Sequence, residues 1–366
     1  MKHPKPDKDE FKEIILRKKI SSKVHFIELH IDTDVIRYFT EKFNRKWIEP
    51  SLAKDRDSQE EVLKNYIECW YQLGYDCLRF TGDFRFSANL SFTSKQRVGE
   101  DTALLSHRKR KWVEEGKGII TCWEDFEKYP WPSLKELNLW PFEFVSKNLP
   151  DGMGILTCFS PGVLEIISND LFGLETLSYL LYDDPDLVKI VANKVGELIY
   201  GAYKKIIGLD KLVGFFQGDD MGFKTSTLLP PDTLRKYILP WHKRFAKLAH
   251  DNGLIYILHN CGYCESIMED LIEDVKIDAK HSFEDAVMPA AEFKKKYGNK
   301  ISVLGGVDMD KLCRLEERKL RRYVRDILDK CMPGGGYALG SGNSITNYVP
   351  IKNYLAMLDE GAKWGR

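Results

Sequence analysis

No stretch of the 366 residues is apolar for the roughly 20 residues a membrane-spanning helix needs. An excess of either charge is also missing. Lys and Arg number 55 and so do Asp and Glu, which argues against a nucleic-acid or anionic-membrane binder, since those carry a basic surplus. The opening segment MKHPKPDKDEFKEIILRKKI has no apolar core before a small-residue cleavage site, so it does not read as a secretory signal. Residues 1–20 are expected to be a polar tail and a short solvated helix that docks through Phe11, Ile14 and Ile15, in a cytoplasmic protein. The eight cysteines are scattered, which excludes a disulfide framework and suggests reduced thiols, most of them small core residues. No internal repeat, low-complexity tract or linker calls for a second domain.

What the sequence has is alternation. Apolar runs at 24–30, 75–81, 153–158, 213–217, 254–259, 277–281, 301–305 and 337–341 each break into Gly, Asp, Ser or His at their ends. Helical patterns lie between them, including one with Asp184 as N-cap and Pro185 at the first helical position. Amphipathic helices are also expected over 233–250, 311–328 and 348–360. Eight such alternations predict parallel strands with helices outside, closed into a single (β/α)₈ TIM barrel over 21–366. An open doubly wound sheet is the rival, but Asp32-Thr33-Asp34 after the first strand is not the Gly-rich phosphate turn that fold often carries. Residues 84–148, with a basic half (Arg85, Arg97, Arg108, Lys109, Arg110, Lys111) and a half rich in Trp, Pro and acids, form a long insertion after strand two. It is expected to lie over the barrel mouth as a hairpin and short helices.

Catalytic groups in such barrels project from the C-terminal strand ends. Those ends offer Glu28 and His30, then Asp83 and Arg85, Gln217, Asp219 and Asp220, His259 and Cys261, Lys280 and His281, and finally Ser341 and Asn343. His259 and Cys261 stand two apart on an extended segment and so can face the same side. Imidazole nitrogen and thiolate sulfur are preferred zinc ligands, and zinc takes about four donors. The missing donors are sought among Asp219, Asp220, Cys264, His281 and Glu284. The bland reading is a loop histidine and a buried thiol. Adjacent Asp219 and Asp220 repel each other, so a metal, a proton or a cationic group should relieve them, unless both serve as helix caps.

At these residues the chain resembles the uroporphyrinogen decarboxylase superfamily, and its corrinoid-linked methyltransferase branch more closely than the haem-pathway decarboxylase. The resemblance is densest in Gly218-Asp219-Asp220-Met221-Gly222, Leu258-His259-Asn260-Cys261-Gly262, Ile277-Asp278-Ala279-Lys280-His281-Ser282-Phe283, Leu304-Gly305-Gly306-Val307-Asp308 and Leu339-Gly340-Ser341-Gly342-Asn343. It implies a barrel with its pocket at the strand C-termini. It also implies that His259 and Cys261 bind Zn²⁺, which activates a substrate thiol toward methylcobalamin. Ser341 stands where that branch has its later Cys ligand. The decarboxylase branch's Arg-rich segment has no counterpart near residues 26–32, and the histidine that branch carries after its last strand would likewise fall at Ser341.

The resulting expectation is a zinc-assisted methyltransferase. It would move a methyl group between a small methylated compound or thiol and a corrinoid supplied by a partner protein. Asp219, Asp220 and His281 would do the chemistry. Glu28, His30, Asp83, Arg85, Gln217, Lys280, Ser341 and Asn343 would bind substrate, and His259 and Cys261 would bind the metal. A cofactor-free decarboxylase of uroporphyrinogen or a related aromatic acid is one alternative, and a non-catalytic corrinoid or tetrapyrrole carrier is another. Self-association into an oligomer is left open.

Overall fold

The computed structural model describes residues 4–82, 84, 86, 90–94, 96–100, 109–113 and 118–365. Asp83 and Arg85 lie outside the described residues. The strands are β1 (Cys77–Arg79), β2 (Gln96–Glu100), β3 (Lys109–Val113), β4 (Gly154–Thr157), β5 (Leu212–Gly218), β6 (Ile255–His259), β7 (Ala279–His281), β8 (Ser302–Leu304) and β9 (Tyr337–Ala338). Among the described residues, seven of them make one curled sheet in the order β1-β4-β5-β6-β7-β8-β9. Every neighbouring pair in it is parallel. These strands are buried on both faces, which explains why they read as nearly continuous apolar runs.

The eighth expected strand is not a full strand. Residues 24–30 join β9 through a single parallel bridge, Phe26 to Leu339. Ile27 N donates to Leu339 O at 2.9 Å and Leu339 N to His25 O at 2.8 Å. No ladder links this segment to β1 among the described residues. The buried Arg79 side chain spans that seam instead. Its Nη1 donates to Leu29 O at 2.6 Å and its Nη2 to Phe216 O at 3.2 Å. The arrangement is TIM-like. Ile27, Cys77, Leu156, Phe216, Ile257, Ala279, Leu304 and Ala338, one from each position around the ring, share one buried interior cluster.

Phe11 and Ile15 belong to that same cluster, so the helix docks through the apolar residues expected and does so inside the ring. The helix Lys8–Ile15 is a plug, with Phe11 fully buried. Lys8 N donates to Gly152 O, just before β4, and Ser302 Oγ at the start of β8 donates to Ile15 O, both at 2.8 Å. The plug therefore closes the end of the sheet opposite the strand C-termini. Short strands leave the apolar interior open there, and an apolar helix face is what can cover it.

Asp184 caps the helix Pro185–Ile206, accepting from Leu187 N at 3.1 Å. Two helices expected to be continuous are broken. Pro231–Tyr237 and Leu239–Asp251 part at Ile238, where Pro240 lacks the N–H a continuous helix needs. Met309–Arg314 and Glu317–Cys331 part at the extended Leu315. The last helix, Ile351–Lys363, begins after Pro350, three residues later than the expected start at 348. Between β1 and β4 lie the antiparallel pair β2–β3 and the helices Trp123–Lys128 and Trp140–Asn148. Among the described residues no helix is long and apolar enough to cross a membrane.

Because Phe11 fills the floor of the interior, Phe11→Ala should lower unfolding free energy by about 3–5 kcal/mol. Chemical denaturation monitored by Trp fluorescence would measure it, and a loss near zero would place the helix outside the core.

Candidate active site

Strand register builds the site. In the ladders Gly218 of β5 pairs with His259 of β6, and His259 with His281 of β7. Three strand ends thus set their last residues side by side, and the loops beyond β5 and β6 carry Asp220 and Cys261 into the same space. Asp220, His259 and Cys261 each offer a donor atom there, and the three atoms lie within 4.8 Å of one another. His259 Nε2 is 3.3 Å from Cys261 Sγ and 3.6 Å from Asp220 Oδ1. Cys261 N donates to Asp220 Oδ1 at 2.8 Å, which fixes that carboxylate, and Asn343 Nδ2 donates to Cys261 Sγ at 3.3 Å.

The protonation of His259 follows from its neighbours. Burial pushes the His281 imidazole down to about 3, and burial with the adjacent His281 holds His259 well below the usual histidine range, so both rings are neutral. His281 Nε2 lies 3.2 Å from the Ser341 carbonyl oxygen, which can only accept. That nitrogen therefore carries the hydrogen, and His281 Nδ1 is an acceptor. His259 Nδ1 lies 2.7 Å from it and must donate. His259 Nε2 is left with an unshared pair aimed at Cys261 and Asp220. Fixing a ligand imidazole's tautomer through its other nitrogen is how metal-binding histidines are held.

The cluster is electron-rich. Burial raises Asp220 above the ordinary carboxylate range, an effect the Cys261 N–H partly offsets and Asp219 adds to. Burial, reinforced by the Asp220 carboxylate, pushes the Cys261 thiol up. A cation between the three would reverse both penalties. Bonds of about 2.0–2.3 Å in a tetrahedron set donor atoms about 3.3–3.8 Å apart. The two donor separations above, 3.3 and 3.6 Å, fall in that interval. The residues present therefore fit a zinc-class ion, with three donors of the usual four.

Asp219, expected among the catalytic groups, is held away from the three donors. Its carboxylate accepts from Leu164 N at 3.2 Å and Glu165 N at 2.9 Å and contacts His242 Nε2 at 2.8 Å. His242 Nδ1 in turn meets Tyr256 Oη at 2.7 Å. Gly162 makes this possible, since a Cβ there would sit 2.1 Å from Asp219 Cγ. Asp219 is a buried brace that positions the helix start Val163–Glu165.

Four expected substrate contacts are likewise held by protein partners. Gln217 is fully buried between Tyr203 Oη and the carbonyls of Ser160 and Gly218. Lys280 Nζ donates to Asn260 O and Ser282 O, and burial lowers its pKa. Glu28 accepts from Ser341 N at 2.9 Å and bonds the Ser341 hydroxyl, and burial pushes its carboxyl up to about 8. His30 lies 3.6 Å from Asp32 and lines a separate cleft with Thr33, Tyr66, Phe80 and Thr81. Among the described residues proposed for substrate, Asn343 donates a side-chain hydrogen bond to the cluster.

Glu165 is the residue that sequence reasoning missed. Burial, with Asp220 and Asp219 next in weight, raises its carboxyl to about 8. Only its position, opening a helix just after the third strand of the alternation, could have signalled it.

The sequence model described as "Uroporphyrinogen decarboxylase (URO-D)" matches residues 169–364, more than half of the chain. This chain belongs to the uroporphyrinogen decarboxylase family. The match takes in β5 to β9 and hence Asp220, His259, Cys261 and Asn343, whereas Glu165 precedes it. Among solved structures, a methyltransferase from Methanosarcina mazei has a TM-score of 0.69 at 14% identity, covering 98% of each chain. A B12-independent methionine synthase from Shewanella sp. W3-18-1, solved in complex with selenomethionine, has a TM-score of 0.52 at 13% identity, covering 84% of this chain and 87% of that one. At such identities the likeness is one of fold. No curated protein matches the chain.

The buried Glu28 carboxyl gives a signed pH prediction. A carboxyl raised from its ordinary 4.5 to about 8 stabilises the fold below the lower value, and that stability is lost as pH climbs to the upper one. Glu28→Gln removes the titration. Relative to wild type, its stability should rise between pH 4.5 and 8, by up to about 1.4 kcal/mol per pH unit. Urea midpoints measured across that range test this, and a pH-independent difference would contradict it.

Proposed function

We propose that this URO-D-family chain is a methyl-transfer enzyme that holds a zinc-class divalent ion between Asp220, His259 and Cys261. It would act on a small methylated compound or a thiol, with a corrinoid on a partner protein as the other methyl carrier. One observation carries the reading: an unprotonated imidazole nitrogen, a thiol and a carboxylate converge within 4.8 Å, the nitrogen at tetrahedral spacing from each of the other two, in a partly buried place. The fold likeness to a protein named a methyltransferase agrees with it.

Bound there, the ion would supply Lewis acidity, lowering the pKa of a thiol or polarising the atom that carries the methyl group. The chain's own residues do the rest. His281 keeps His259 in the tautomer that offers a lone pair. Asn343 steadies the sulfur with a donated N–H. Asp220 brings negative charge and is itself held by the Cys261 N–H. Lys280, with its ammonium against the Asn260 and Ser282 carbonyls, stiffens the turn beyond His281.

Decarboxylation of a porphyrinogen is less well served. A substrate with many carboxylates needs free cations around it. Arg79 and Lys280, the described cations nearest the cluster, are both committed to backbone carbonyls.

Metal analysis of purified protein by plasma mass spectrometry should find about one zinc per chain in wild type and little in His259→Ala or Cys261→Ala. Equal, substoichiometric zinc in all three would reject the proposal. With metal loaded, free methylcobalamin and a simple alkanethiol should lose the methylcobalamin absorbance in wild type and keep it in Cys261→Ala. No difference between the two would leave the cluster without a part in methyl transfer.

A further inference from the structure

Without substrate, three donors leave a zinc-class ion one short of four, and among the described residues the other candidate donors named from the sequence are accounted for. Both nitrogens of His281 are occupied by Ser341 O and His259. Both oxygens of Asp219 are occupied by Leu164, Glu165 and His242. The Ser341 hydroxyl is held by Glu28. Cys264 and Glu284 line a different pocket, with Lys280, Phe283 and Phe293. Resting on the metal-dependent reading above, we propose that Glu165 is the fourth donor while no substrate is bound and yields that position to the incoming thiol or methyl donor.

Local structure aims Glu165 at the cluster. Asp219 accepts both the Leu164 and the Glu165 N–H, so the helix start is pinned to the strand end that also presents Asp220. Glu165 and His259 also look into one gap. The point where Gly218 would carry a Cβ is 3.7 Å from Glu165 Oε2 and 3.8 Å from His259 Cδ2.

Charge points the same way. Among the described residues, neither Glu165 nor Asp220 is ion-paired to a Lys or Arg. Two carboxylates thus sit beside a buried imidazole lone pair with no paired counter-ion. Two neighbouring, partly buried carboxylates so placed favour a cation or a shared proton between them. Oxygen, nitrogen and sulfur donors together suit a zinc-class ion better than magnesium or calcium, which prefer all-oxygen shells. Glu165 stands outside the 4.8 Å group, so ligation takes a rotation of its side chain across the gap at Gly218. Asp220 needs no such movement.

Cobalt(II) serves as a spectroscopic stand-in for zinc. Wild type, Glu165→Gln and Gly218→Ala would be titrated with Co²⁺, following the visible ligand-field bands and the near-ultraviolet thiolate-to-cobalt band. Glu165→Gln keeps the shape of the side chain. Gly218→Ala adds a methyl at ordinary contact distance from Glu165 Oε2 and fills the gap without replacing a donor. Both should bind cobalt about 10–100-fold more weakly than wild type, with shifted ligand-field bands and the thiolate band retained. If wild type shows the thiolate band and Glu165→Gln matches it in affinity and spectrum, Glu165 is no ligand, while the three-donor site stands. If wild type shows no thiolate band, both readings fall.

Discussion

A carbonyl oxygen can accept a hydrogen bond but never donate one, and at Ser341 that constraint orders the whole cluster. It places the hydrogen of His281 on Nε2, which turns His281 Nδ1 into an acceptor. That in turn places the hydrogen of His259 on Nδ1 and leaves Nε2 bare. The chain of roles holds only while both rings stay neutral, and burial ensures that they do. A protonated His281 would have no acceptor for His259, and the lone pair facing Cys261 and Asp220 would be lost.

The sheet makes this possible by bringing β6, β7 and the segment after β9 together. Around it, two buried carboxyls work as structure. Asp219 ties β5 to the helix start at Val163–Glu165 and to His242 on an outer helix. Glu28 ties the incomplete first position of the ring to Ser341, the residue whose carbonyl starts the relay. Arg79 closes the same seam from β1. The part of the ring with the fewest backbone ladders is thus held by side chains, of which Glu28 and Ser341 had looked like substrate groups because they are polar and stand at strand ends.

That is also where the sequence was hardest to read. The alternation of apolar runs was legible because strands buried on both faces must be apolar throughout, and seven of the eight became strands. His259 and Cys261 were legible because a spacing of two on extended backbone keeps a common side. Asp219 and Asp220 were not separable. Adjacent residues on an extended segment face opposite sides, and nothing in their own sequence says which side is the cavity. Asp219's partner, His242, lies on a separate helix with no motif to mark it. Glu165 and the plug formed by Phe11 and Ile15 are tertiary facts as well: an ordinary helix opening and an ordinary amphipathic turn gain their roles only from what they meet.

Methyl transfer as proposed requires the imidazole, the thiol and the carboxylate to converge on one ion. X-ray absorption at the zinc edge, on protein purified without added metal, asks this directly. The predicted shell has one sulfur at about 2.3 Å with nitrogen and oxygen donors at about 2.0–2.2 Å, including imidazole scattering. A shell of light atoms without sulfur, or no zinc edge at all, would contradict it.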